Sequence, residues 1–291
     1  MIVDRLYEQV QEKGHVCVGL DTDFSYLPVK FADKFSGKGK AIYNFNKEII
    51  DATCDVAACF KVQIAYYEAL GLEGLKAYSD TLKYIKEKGQ VSIADIKRGD
   101  ISKTAEMYAA AHFSGDFEAD FVTLNPYMGI NDSLEPFISY IEKDNKGIFV
   151  LVRTSNKGAR DFQFIKSKEE KPFYEIVAEG IEKLASKTKG KYGFSSIGAV
   201  VGATNSEECS VLRKELSSSF LLIPGYGAQG GKAEDISEYF VDGNGAVVNS
   251  SRGILLAYKR HRKVESDFGL CARNEVIRMR DDLKSFIREQ K

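Results

Sequence analysis

The segment LKAYSDTLKYIKEKGQVSIADIKRGD, residues 75–100, holds a helix, a stop and a buried strand that ends in charge. Leu75, Tyr78, Leu82 and Ile85 fall at spacings of 3, 4 and 3, the apolar stripe of an amphipathic helix. Gly89 follows as a C-terminal stop. Ser92–Ile96 is a short apolar run of the kind found in strands buried on both faces. Its end carries Asp95 and Lys97, and Asp100 follows after Gly99.

The same unit recurs along the chain. Val16–Leu20, Cys59–Ile64, Phe121–Leu124, Gly147–Val152, Ile197–Val201, Phe220–Ile223 and Ala246–Val248 are further short apolar runs, which makes eight with Ser92–Ile96. Helical patterns separate them: Leu134, Ile138 and Ile141 form one stripe, and Val276, Met279, Leu283 and Phe286 another. Strand–helix alternation predicts a parallel sheet with helical crossovers. Eight repeats predict an α/β fold closed as a (β/α)8 (TIM) barrel. An open doubly wound sheet is the competing architecture. It would carry a GxGxxG turn after its first strand, and Gly19-Leu20-Asp21-Thr22 is not one. Val3, Leu6 and Val10, with Gly14 as a stop, predict an extra N-terminal helix. At about 150 residues per domain the length allows two domains, but barrels often exceed 200 residues as one unit. No linker-like segment divides the chain, so residues 1–291 read as one barrel domain with two long loops, 22–40 and 157–171.

Composition excludes several roles. The chain has 41 Lys+Arg and 42 Asp+Glu, a formal net charge of −1, so there is no basic field for a nucleic-acid polymer. No apolar run approaches the roughly 20 residues of a membrane span, and the first residues lack a signal-peptide core. Cys17, Cys54, Cys59, Cys209 and Cys271 are odd in number and irregular in spacing, which fits neither a disulfide framework nor a zinc site. A cytoplasmic protein with reduced thiols is expected. His15, His112 and His261 read as structural or surface residues, and no His/Cys set has metal-ligand spacing.

In a barrel of this kind, chemistry gathers where strands end. Asp21, Lys61, Asp95 and Lys97 lie at the ends of the first three strands, and Asp100 lies in the loop beyond. Strand side chains alternate between faces, so Asp95 and Lys97 point the same way. A salt-bridge network that merely seals the barrel is the structural alternative. Buried charges are costly, however, and apolar residues would seal it as well. Near the other strand ends, Gly225, Gly227, Gly230 and Gly231 surround Gln229, and Ser251-Arg252 follows the eighth run. A glycine-rich loop lets backbone N–H groups approach an anion, and Arg252 can grip phosphate through its guanidinium fork. Asn125 precedes Pro126 and reads equally well as a turn former.

The pattern Asp95-x-Lys97-x-x-Asp100, with Asp21 on strand one and Lys61 on strand two, resembles the signature of the orotidine 5'-phosphate decarboxylase family. Gly19-Leu20-Asp21, Phe60-Lys61-Val62-Gln63, Pro224-Gly225-Tyr226-Gly227-Ala228-Gln229-Gly230-Gly231 and Ser251-Arg252-Gly253-Ile254 resemble its other motifs, in the order of the strands. Leu124–Gly129 and Arg153–Asn156 are similar to its longer bacterial-type branch. The resemblance implies removal of CO2 from C6 of orotidine 5'-monophosphate to give UMP, without metal or other cofactor, as a step in pyrimidine biosynthesis. It makes Lys97 the proton donor, with Asp95, Asp100 and Lys61 in the catalytic charge network. It assigns Asp21 and Lys61 to the ribose and Ser251, Arg252 and Gln229 to the phosphate end. Ser155 is its candidate for the pyrimidine, with Thr154 and Asn156 as close rivals. It also implies a homodimer in which Asp100 and Thr104 reach the neighbouring site. Two alternatives stand beside it. One is a Mg-dependent keto-hexulose-phosphate lyase, which needs an acidic metal-ligand set where this chain has Lys61. The other is a non-catalytic nucleotide-binding barrel, which would need no proton donor.

Overall fold

Every strand carries apolar residues on both faces, and the fold divides them between two cores. The computed structural model describes residues 1–203, 206–226, 233–260 and 267–288. Within them run β1 (Val16–Gly19), β2 (Cys59–Gln63), β3 (Val91–Arg98), β4 (Phe121–Leu124), β5 (Gly147–Arg153), β6 (Ser195–Val201), β7 (Ser219–Pro224) and β8 (Ala246–Ser250). They pair in parallel in chain order, and β8 closes onto β1 with Val16 beside Val248. The closed (β/α)8 barrel is thus the architecture and the open sheet is not. Each apolar run of the sequence matches a strand to within two residues at either end.

Period-2 alternation sorts the side chains. Val18, Phe60, Ala94, Val122, Val150, Ala199, Leu221 and Val248 point outward and pack against the surrounding helices. Cys17, Cys59, Ile93, Phe121, Phe149, Phe220 and Val247 point inward and fill the barrel. The expected N-terminal helix spans Ile2–Lys13, and its buried Val3, Leu6 and Val10 join that inner core. The helix Gly71–Glu87 buries Tyr78, Leu82 and Ile85, and Gly89 beyond it has φ +65°. Leu134 and Ile141 are buried on Asn131–Asp144, and Val276, Met279 and Leu283 on Phe268–Arg288.

Both long loops are folded. Residues 22–40 contain a 3-10 turn (Phe24–Tyr26), a short helix (Val29–Ala32) and the start of the helix Lys38–Thr53. Residues 157–171 begin with a 3-10 turn (Lys157–Asp161) and close through a bridge between Lys166 and Pro172. No helix among the described residues is long and apolar enough to cross a membrane.

His15 and His112 are buried, as their structural reading requires; His261 lies outside the described residues. His15 Nε2 is 3.0 Å from the Gly243 carbonyl, and its ring meets Phe240 edge-on. Burial pushes the pKa of His15 down to about 4. Burial, helped by the charge of Arg98, does the same to His112. An unfolded histidine titrates near 6.5. As pH falls from about 6.5 toward 4, the unfolded chain therefore takes up protons that the folded chain refuses, and stability drops. Urea unfolding at pH 7 and pH 4.5 should show a smaller drop for His112→Gln than for the parent; equal drops would contradict this assignment.

Candidate active site

The inward alternation that fills the lower barrel with apolar groups continues upward into charge. Lys61 on β2 and Asp95 on β3 follow Cys59 and Ile93 on the same faces, and Asp21 lies just beyond β1. Lys61 Nζ is 2.9 Å from Asp21 Oδ1 and 2.9 Å from Asp95 Oδ2. Lys97 Nζ is 2.6 Å from Asp95 Oδ1. The result is one continuous chain, Asp21–Lys61–Asp95–Lys97, of alternating sign.

Asp95 is its hub. Besides the two ammonium groups, Gln63 Nε2 donates to Oδ2 at 2.9 Å and Thr123 Oγ1 donates to Oδ1 at 2.8 Å. Burial opposes the charge on Asp95, but Lys61 and Lys97 outweigh it and hold the carboxyl below the usual carboxylate range. Burial likewise opposes the charge on Lys61, and Asp21 and Asp95 outweigh it, raising its pKa. Lys97 differs in exposure. Its side chain is 45% exposed, against 5% for Lys61 and 7% for Asp95, so it is the end of the chain that opens outward.

The backbone at Lys97 departs from strand geometry. Its φ is +45°, a left-handed conformation rare for a residue with a side chain, and the β3–β4 register shifts between Ala94 and Arg98. Thr123 on β4 supports this bulge. Its hydroxyl accepts the Lys97 N–H at 3.0 Å while donating to Asp95. One side chain thus fixes both the lysine backbone and the carboxylate that faces the lysine tip.

The opposite side of the chain depends on Gly19. A Cβ there would collide with Ser251 Oγ and approach Asn249 Oδ1 to 2.8 Å. Without it, Ser251 comes close enough to donate to Asp21 Oδ2 at 2.9 Å. Ser251, expected beside Arg252 at the phosphate end, therefore also orients the first carboxylate.

These groups wall a cavity of about 550 Å³ at the barrel mouth. Leu151, Val200 and Leu222 give it an apolar side. Thr154, Ser155 and Asn156 line it after β5, Pro224 at the end of β7 with Gly225 and Tyr226 beyond it, and Arg252 after β8. Gly225 has φ +102°, which turns the chain off β7. A larger groove, about 660 Å³, lies outside the barrel between the helices Ser102–Phe113 and Asn131–Asp144. No member of the charge chain faces it, so the barrel mouth is the candidate site.

Some sequence-predicted residues do not join this cavity. Asp100, assigned to the charge network, is not joined to it within one chain: among the described residues the Lys97 ammonium pairs with Asp95. The Asp100 carboxylate accepts the N–H of Ile101 at 2.8 Å, and Thr104 is exposed on the helix that follows. Gln229, with Gly227, Gly230 and Gly231, lies outside the described residues. Asn125 accepts the Tyr127 N–H and caps a turn, its simpler reading. Thr123 and Gln63, which both donate to Asp95, are site residues that the sequence reading does not single out. Each is an inward-facing polar residue in an apolar run, and that signal could have found them.

The donor set disfavours a divalent metal here. The Lys61 ammonium already occupies the point between Asp21 and Asp95 where a cation would collect those carboxylates. Among the described residues no group of three or more His, Cys, Asp or Glu side chains is placed to hold a metal ion.

Comparison with known proteins gives a consistent picture. Residues 14–266 match the family described as orotidine 5'-phosphate decarboxylase / HUMPS. The chain is 59% identical over 283 residues to an orotidine 5'-phosphate decarboxylase of Clostridium tetani, covering 97% of this chain and 98% of that protein. It is 60% identical over 284 residues to one of Clostridium acetobutylicum, covering 98% and 99%. A crystal structure from Toxoplasma gondii, described as a putative orotidine-monophosphate decarboxylase, superposes with a TM-score of 0.84 at 29% identity, covering 99% of this chain and 98% of that one. Through this match over nearly its whole length, the chain belongs to the orotidine 5'-phosphate decarboxylase / HUMPS family, and its similar relatives are the decarboxylases.

Proposed function

We propose that this barrel converts orotidine 5'-monophosphate to UMP and CO2 without metal or cofactor, with Lys97 as the proton donor. The observation that carries the reading is the buried charge chain whose last member, Lys97, opens onto the cavity. The bond from C6 to the carboxylate breaks, CO2 leaves, and the electron pair stays on C6. An ammonium at that point attracts the developing charge and then transfers a proton to it. Asp95, ionised and held by four donors, fixes the Lys97 tip. Thr123 is a positioning residue, since it touches both Asp95 and the Lys97 backbone.

The remainder of the cavity fits the remainder of a nucleotide. Asp21 and Lys61 hold the ribose hydroxyls, and Ser155 reads the pyrimidine. Arg252, with Ser251 beside it and Gln229 in the loop after β7, takes the phosphate. Its guanidinium is exposed at the cavity edge, and binding there contributes to transition-state stabilisation at the base. Asp100 and Thr104 complete the site of a second copy, so the functional unit is a homodimer. Exposed Ile101 and Met107 on the same segment support an interface there. The chain acts as one barrel domain, in the cytoplasm, in pyrimidine biosynthesis. The magnesium-dependent lyase is less well supported, because Lys61 stands where a metal ligand would be.

The purified protein should decarboxylate orotidine 5'-monophosphate in the presence of EDTA, read as a loss of ultraviolet absorbance; complete metal dependence would overturn the reading. Lys97→Ala should lower turnover by about a thousandfold or more while UMP still binds. Full activity in that variant would remove Lys97 from the mechanism. Thr123→Val should cut kcat about tenfold to a hundredfold, since it removes a hydrogen bond to a charged group and leaves a backbone N–H without its acceptor. Arg252→Ala should raise KM for the nucleotide strongly and barely change the slow reaction of orotidine, which lacks phosphate. Equal losses on both substrates would count against Arg252 as the phosphate ligand.

A further inference from the structure

The loop after β5 is held by a segment that a minimal barrel does not need. Residues 157–171 leave the barrel mouth and return to the helix Phe173–Ala185. On the way Gln163 reaches back to Thr154. Its side-chain carbonyl accepts the Thr154 N–H at 2.9 Å, and its NH2 donates to Thr154 Oγ1 at 2.7 Å. The Thr154 hydroxyl then donates to Asn156 Oδ1 at 2.6 Å. Both neighbours of Ser155 are therefore tied into one hydrogen-bonded unit.

The surroundings make this unit stiff. Gly202, at the end of β6, lies so close that a Cβ there would be 2.9 Å from Ser155 N and Cβ. Gln163 is anchored by its own backbone, with its N–H donating to Ala159 O at 2.8 Å and its carbonyl accepting from Tyr174 N at 3.1 Å. The next ring, Phe164, lies 4.7 Å from the guanidinium of Arg153, the last residue of β5, and Arg153 pairs with Glu208 at 3.1 Å. Gln163 itself is not among the residues that line the cavity.

We infer that Gln163 is a positioning residue for base recognition: by holding Thr154 from outside the cavity, it aims Ser155 at the pyrimidine ring. The inference rests on the nucleotide reading of the cavity. The bonds it makes are local to residues 154–156, and the segment 157–171 has its own backbone closures, so their loss acts on the loop and not on the barrel. Two neutral hydrogen bonds of this kind, used to orient a ligand-binding loop, correspond to an effect of about tenfold on binding.

The test compares a ligand that has the base with one that lacks it. Dissociation constants of UMP and of ribose 5-phosphate are measured for the parent, Gln163→Met and Gln163→Glu, together with kcat, KM and the thermal midpoint. Gln163→Met keeps the length and removes both hydrogen bonds. It should weaken UMP about tenfold and leave ribose 5-phosphate within twofold. Gln163→Glu keeps an acceptor for the Thr154 N–H and should recover part of the loss. Equal weakening of both ligands, or unchanged UMP affinity, would overturn the inference. If Gln163→Met does not fold, the segment carries barrel stability and the positioning role is refuted, unless a folded Gln163→Glu still shows a loss confined to UMP. A parent protein that binds ribose 5-phosphate but not UMP would refute the nucleotide reading itself, an outcome distinct from any behaviour of the variants.

Discussion

A carboxylate buried at the top of a barrel is the constraint on which the rest of the site depends. Taking one ion out of water costs several kcal/mol, and only close partners offset that. Asp95 obtains four donors from three strands: Lys61 and Gln63 on β2, Thr123 on β4 and Lys97 on its own strand. This arrangement requires β2, β3 and β4 to keep their register to within a fraction of a residue. A slip of one residue would turn every inward group outward and leave the ion unpaired. The electrostatics of the mouth and the hydrogen bonding of the sheet are therefore one requirement.

That coupling also accounts for the unusual backbone at Lys97. A regular strand would carry its side chain on past Asp95. The bulge and the left-handed φ keep the ammonium against the carboxylate and at the edge of the open cavity. Such a conformation persists only where the surroundings over-determine it. Thr123 and the Asp95 contact do so from opposite ends of the residue.

Most of the barrel was legible because its signal is periodic. Eight short apolar runs mark the strands, their ends place Asp21, Lys61, Asp95 and Lys97 at one mouth, and alternation predicts that Asp95 and Lys97 point the same way. What stayed hidden depends on pairs distant in sequence. Nothing near Lys97 announces a positive φ, because the bulge arises from the fit of β3 to β4. Gln163 gives no pattern either, since residues 157–171 have no repeat and its partner Thr154 belongs to another turn. Asp100 and Thr104 show the opposite limit. Their types and spacing are readable, yet one chain does not bring them into its own cavity.

The helix Ile2–Lys13 and the inward rings of Phe121, Phe149 and Phe220 do more than fill space. They stopper the barrel at the end away from the charge chain. Among the described residues the cavity therefore stands on a dry apolar floor, with its charges gathered in the layer above. Water has no polar partner below that layer, so the ion chain is solvated from the mouth alone. The barrel's plug thus acts on the site as an insulator: it sets how strongly the charges above it feel one another.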